Sequence, residues 1–110
     1  MKPVIESQWT AQEKEIAKTA LINAQTREVE AIIQVVQEQA RAVESIEDLW
    51  RLNDFLSARR FDIDGKYDDR EEEILFALAK LTKEGWLQPQ DIEGLASAKR
   101  SKISALTRVL

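Results

Sequence analysis

A chain of 110 residues can bury one modest core and is short of the size at which chains split into domains. With 44% hydrophobic and 33% charged residues but only three Gly and two Pro, its composition fits long helices in a soluble protein better than many short strands joined by turns. The absence of Cys and His excludes disulfides, thiolate chemistry, the commonest zinc ligands and the commonest general base, and the net charge of -4 argues against broad nucleic-acid binding.

The N-terminal stretch MKPVIESQWTAQEKE lacks the apolar run of a signal peptide, and nowhere do about 18 apolar residues follow one another. A cytoplasmic protein with no stable membrane insertion is expected. Thr10-Ala-Gln-Glu13 has the form of a capping box, in which hydroxyl and carboxylate each satisfy an orphan backbone donor. No Gly or Pro interrupts the chain from Thr10 to Ser45, which allows one helix of about 33 residues, about 50 Å long. Along it Ile22, Thr26, Val29, Ile33, Val36, Ala40 and Val43 keep a four-three rhythm, and Leu21, Ile32 and Val35 form a second row. A compact chain of this size has a radius of gyration of about 13 Å, too small to cover such a rod. The rhythmic stripe therefore predicts a homodimer along this helix, with a bent or broken helix as the alternative.

Ser45 caps a second helix over Ile46 to Arg60, with Glu47 and Asp48 well placed in its first turn. Phe61 to Tyr67 should form the turn, centred on Gly65. Asp68 or Asp69 should start a third helix through Ile74, Leu75, Leu78 and Leu81, closed by Gly85. Pro89 suits the first turn of a last helix. In that helix Ile92, Leu95, Lys99, Ile103 and Leu106 keep helical spacing, and Gly94 is the point where it could split. There is no internal repeat. The expected fold is a single all-α domain: a long N-terminal helix at a dimer interface, plus a compact head of about three further helices.

Charge is uneven. Seven acids lie between Asp62 and Glu73, whereas Lys99, Arg100, Lys102 and Arg108 are the only charged residues after Glu93. Aligning Gly65 with the glycine of a calcium-binding EF-hand loop puts Arg60 at the first coordinating position, where a cation repels calcium and removes a ligand oxygen. Helix capping and a turn account better for these acids. No Gly-rich phosphate loop and no nucleophile paired with a base is present, so an enzyme is not expected.

On the second helix, at about 100° per residue, Leu49, Leu52 and Leu56 share one face. Trp50, Asp54, Ser57 and Asn53 lie opposite, with Arg60 on their flank. Tryptophan and arginine beside polar groups are the residue types that dominate interface hot spots. The alternative is that the dimer partner or the third helix buries Trp50 as core. Trp9 and Trp86, at element boundaries, read as packing residues, and Lys99 and Lys102 as solvated.

DLWRLNDFLSARRFDIDGKYDDR, with EGWLQPQDIEGLA and the closing KRSKISAL, resembles the cyanobacterial fluorescence recovery protein family. The resemblance is specific from about Ile46 onward and rests on length and pattern before that. It implies an all-helical homodimer without cofactor or enzymatic chemistry. It also implies binding to the photoactivated orange carotenoid protein, mainly to its C-terminal domain, with faster red-to-orange return and release from the phycobilisome. By the same resemblance Trp50, Asp54 and Arg60 stand in a functional patch, and Phe76 and Lys102 in a wider partner-contacting surface. Asn53 stands where the family commonly has histidine, which removes a titratable group. The basic last helix, with Lys99 and Lys102, would add electrostatic attraction. A helical scaffold for some other protein is the competing reading.

Overall fold

The computed structural model describes residues 8–110. Residues 1–7, which carry part of the argument against a signal peptide, lie outside the described residues. The described chain forms four α-helices and one 3-10 turn, with no strand among the described residues. Among the described residues, no helix is long and apolar enough to cross a membrane.

Helix α1 (Ala11–Arg41) opens on the capping box predicted from Thr10 and Glu13. The Thr10 hydroxyl accepts the Glu13 N–H at 3.0 Å, and the Glu13 carboxylate accepts the Thr10 N–H at 3.3 Å. The helix runs unbroken for 31 residues, about 46 Å at 1.5 Å per residue, and stops just short of Val43. The helix is not broken, and the described chain has extents of 66 × 22 × 21 Å and a radius of gyration of 17.3 Å.

Two apolar faces of α1 have different fates. Ala17, Ala20, Leu21 and Ala24 are buried, and the three alanines let other elements approach the helix closely. Against them pack α3 (Ile74–Glu84) and the 3-10 turn Pro89–Ile92, and α4 (Ser97–Val109) packs in turn on α3. The shared core comprises Ile74, Leu78 and Leu81 from α3, Ile103 from α4, and Leu87, Ile92 and Leu95 between them. On the opposite side of the rod, Ile22, Val29, Ile33 (50% exposed) and Ala40 face outward, with Val36 and Val43 half-buried.

Helix α2 (Ile46–Asp64) begins at Ser45, whose hydroxyl accepts the Asp48 N–H at 3.1 Å. It runs four residues beyond Arg60, because nothing before Gly65 breaks it. The predicted turn at Phe61 is therefore helix. No residue of α2 is buried, and among the described residues no core covers the leucine face: Leu49 and Leu56 are exposed and Leu52 is half-buried. The head is built from α3, α4 and the first half of α1, with α2 returning along α1 outside it.

Two further boundaries differ from the spacing. α3 starts at Ile74 rather than at Asp68 or Asp69. The Asp68 carboxylate accepts the Arg70 N–H two residues on, at 3.0 Å, a local bond that competes with helix initiation. Pro89 opens the separate 3-10 turn, and Gly94 splits it from α4. A Cβ on Gly94 would sit 2.5 Å from Ile16 Cδ1, so this segment lies directly on α1. The predicted cap at Gly85 is left-handed, with φ of 88°, where a side chain is disfavoured. Gly85→Ala should lower unfolding free energy by about 1–2 kcal/mol in urea titration, with helix content unchanged.

Candidate functional site

Three polar clamps hold the frame that presents the candidate residues. At the first, the Lys66 ammonium donates to Glu28 Oε2 at 2.8 Å and to Glu84 Oε1 at 2.6 Å, and the Tyr67 hydroxyl donates to Glu28 Oε1 at 2.5 Å. The residues just after α2 are thereby tied to α1 and to the end of α3. Burial disfavours the Lys66 charge, but the two carboxylates outweigh it and raise its pKa. Burial and the bond to Glu28 push the Tyr67 hydroxyl well above the usual phenol range.

At the second clamp the Glu13 carboxylate accepts the Ala96 N–H at 2.9 Å and the Lys99 ammonium at 2.9 Å. Lys99 also donates to the Gln8 carbonyl and lies 4.9 Å from the centre of the Trp9 ring. The Ala96 N–H, with help from Lys99 and the Thr10 N–H, holds the Glu13 carboxyl below the usual carboxylate range against the effect of burial. At the third, Arg27 donates to Asp91 Oδ2 and to the Trp86 carbonyl, both at 2.8 Å. Burial raises the Asp91 pKa, but Arg27 and the Gln88 N–H prevail and lower it.

Lys99 is thus corrected on both counts. At 2% exposure it is neither solvated nor available on this surface to a partner, because it answers the buried Glu13. Its spacing with Ile92, Leu95 and Ile103 already put it on the core face. The pairing partner, 86 residues away, had no signal in the sequence. Lys66, Tyr67 and Glu28 were missed for the same reason.

The remaining candidates form two groups. Trp50 (58% exposed), Asn53, Asp54 and Arg60 all lie exposed on the outward side of α2. Among the described residues, neither α3 nor any other element covers Trp50. Phe76, on α3, and Lys102, on α4, are exposed and line one open groove of about 550 Å³ with Trp9, Leu75 and Leu106. Among the described residues, no group of carboxylates gathers as a metal site would require. Such a surface, an exposed aromatic with an acid, an amide and a guanidinium on one rigid helix, is suited to holding another protein.

Residues 9–107 match the family described as photoprotection regulator fluorescence recovery protein. The chain belongs to the fluorescence recovery protein family. The fluorescence recovery protein of Synechocystis sp. is 44% identical over 109 residues, 99% of this chain and 100% of that protein. Solved structures of the fluorescence recovery proteins from Synechocystis sp. (46% identity, TM-score 0.89) and Fremyella diplosiphon (42%, 0.88) superpose on 92% of this chain and cover 99% of their own. The fluorescence recovery family is one of photoprotection regulators, named for regulation rather than for catalysis.

Lys66→Met would leave Glu28 and Glu84 without their shared cation. The loss of one partner from a buried ion pair costs about 3 kcal/mol or more, and urea unfolding should read a loss of that size. Glu13 supplies a pH test. Its folded pKa lies below the unfolded one, so its contribution is complete above the ordinary carboxylate range and is lost as pH falls through the lowered folded value. Glu13→Gln should therefore be less stable than the parent at neutral pH, and the gap between their urea midpoints should narrow in acid.

Proposed function

We propose that this chain is a non-enzymatic regulator of the photoactivated orange carotenoid protein. It binds that photosensor, mainly through the sensor's C-terminal domain. It speeds the sensor's red-to-orange return and its detachment from the phycobilisome, so that quenching ends and antenna fluorescence recovers. The observation that carries the reading is Trp50: 58% exposed, on a helix with no buried residue, in a chain that belongs throughout its length to a family of photoprotection regulators.

The mechanism follows from differential affinity. To accelerate the return, the regulator must bind the route between red and orange forms more tightly than it binds the red form. To leave afterwards, it must bind the compact orange form more weakly. Each tenfold acceleration requires about 1.4 kcal/mol of such preference, within reach of one aromatic anchor worth about 2 kcal/mol. Trp50 is the anchor. Asp54 and Arg60 fix orientation, Asn53 donates and accepts hydrogen bonds without titrating, and Phe76 and Lys102 extend the contact on the head. No cofactor and no membrane insertion is needed, and the regulator works in the cytoplasm, where its partner sits on the phycobilisome.

The regulator acts as a homodimer of single-domain chains. The stripe of Ile22, Val29, Ile33, Val36, Ala40 and Val43 supports this, since it lies opposite the head-packed face of α1 and leaves Ile22, Val29, Ile33 and Ala40 exposed. Light scattering at micromolar concentration should give twice the 12.6 kDa chain mass, and Ile33→Lys should give a folded species of the single mass.

The central test follows the dark red-to-orange absorbance change of a purified orange carotenoid protein. Substoichiometric addition of this chain should accelerate it, and Trp50→Ala should weaken the acceleration about tenfold or more with helix content unchanged. No acceleration by the folded parent would favour a scaffold for another protein instead.

A further inference from the structure

The continuation of α2 to Asp64 puts Phe61 on the helix, where it is 82% exposed. At about 100° and 1.5 Å per residue, Phe61 falls within about 20° of Trp50 and about 16 Å further along the same face. Asp54 and Ser57 lie between the two rings, Asp64 beyond them, and exposed Ile46 one turn before Trp50. A single exposed apolar side chain is ordinary. Two aromatic rings in one row on a helix, with carboxylates interleaved, have the composition of a contact surface.

We infer that Phe61 is a second anchor of the partner surface begun by Trp50. The occupant is a face of the photoactivated carotenoid-binding partner with two apolar sockets about 16 Å apart and a basic group between them, opposite Asp54. This rests on the function proposed above and extends the same site. Two features favour this occupant over a second copy of the chain. The row is continuous with Trp50 and Asp54, and it lies opposite the leucine face of α2, so a copy seated on Leu49, Leu52 and Leu56 leaves it open. Its acids, Asp54 and Asp64, call for a basic counterpart, whereas the same row in a second copy would present the same acids. Two anchors on one rigid helix also fix direction, because a single ring can be gripped with the helix pointing either way.

The test measures red-to-orange acceleration against regulator concentration for the parent, Phe61→Ala, Trp50→Ala and the double variant, with light scattering and circular dichroism on each. Phe61→Ala should raise the concentration for half-maximal acceleration about tenfold, with mass and helix content unchanged. The double variant should show the product of the two single effects, as expected for sites more than about 10 Å apart. An unchanged Phe61→Ala curve beside a weakened Trp50→Ala curve would overturn the inference while leaving the function standing. A shift of Phe61→Ala to lower mass would overturn it too, by assigning the ring to a contact between copies. A parent that accelerates nothing would remove the functional reading, and this inference with it.

Discussion

One ammonium shared between two carboxylates fixes the layout of this chain. Lys66 lies just beyond α2 and joins Glu28, more than halfway along α1, to Glu84 at the end of α3. A buried ion pair is a poor source of net stability, because desolvation offsets most of the attraction. It is a strong source of geometry, since displacement would leave Lys66 or Glu28, both almost wholly buried, with its charge unanswered. The Tyr67 hydroxyl occupies the other oxygen of Glu28, which leaves that carboxylate little freedom to turn. The foot of α2 is thereby tied to α1 and to the head together.

The other two clamps grip the same rod at its start and near its middle. Glu13 with Lys99 and Arg27 with Asp91 fasten α1 to segments that come more than sixty residues later. The alanine face of α1 supplies close approach and the ion pairs supply register, so the head sits on one end of the rod in a single way. The rod then projects beyond the head, and α2 returns along it with its leucine row on one side and its tryptophan row on the other. For the proposed regulator the division is useful, because a surface for another copy and a surface for the photosensor do not compete for the same residues.

Much of this was legible in the sequence because it depends on local rules. The capping box at Thr10, the unbroken run to Arg41, the Ser45 cap, the left-handed Gly85 and the outward Trp50 follow from short-range chemistry and helical period. The failures have two origins, partners distant along the chain and local chemistry that admits two outcomes. Lys99 looked solvated because nothing nearby in sequence is acidic, yet it is neutralised by Glu13 at the far end of the chain. Phe61 was assigned to a turn because Gly65 follows it, although the helix needed no interruption before the glycine itself. The start of α3 was misplaced because Asp68 can cap a helix or close a tight local bond, and here it does the latter. The two halves of the candidate surface, on α2 and on the head, come from stretches whose relation only tertiary packing sets.

A helix that contributes no residue to the core is unusual freight for so small a protein. Most substitutions on its outward row remove no packing, so they have little effect on folding. Mutation can therefore explore that row almost without regard to stability, whereas a change in the alanine face of α1 must be compensated elsewhere. Under the proposed function, recognition and foldedness fall on separate residues, which would let a lineage retune the regulator to a drifting partner without rebuilding the frame that carries it.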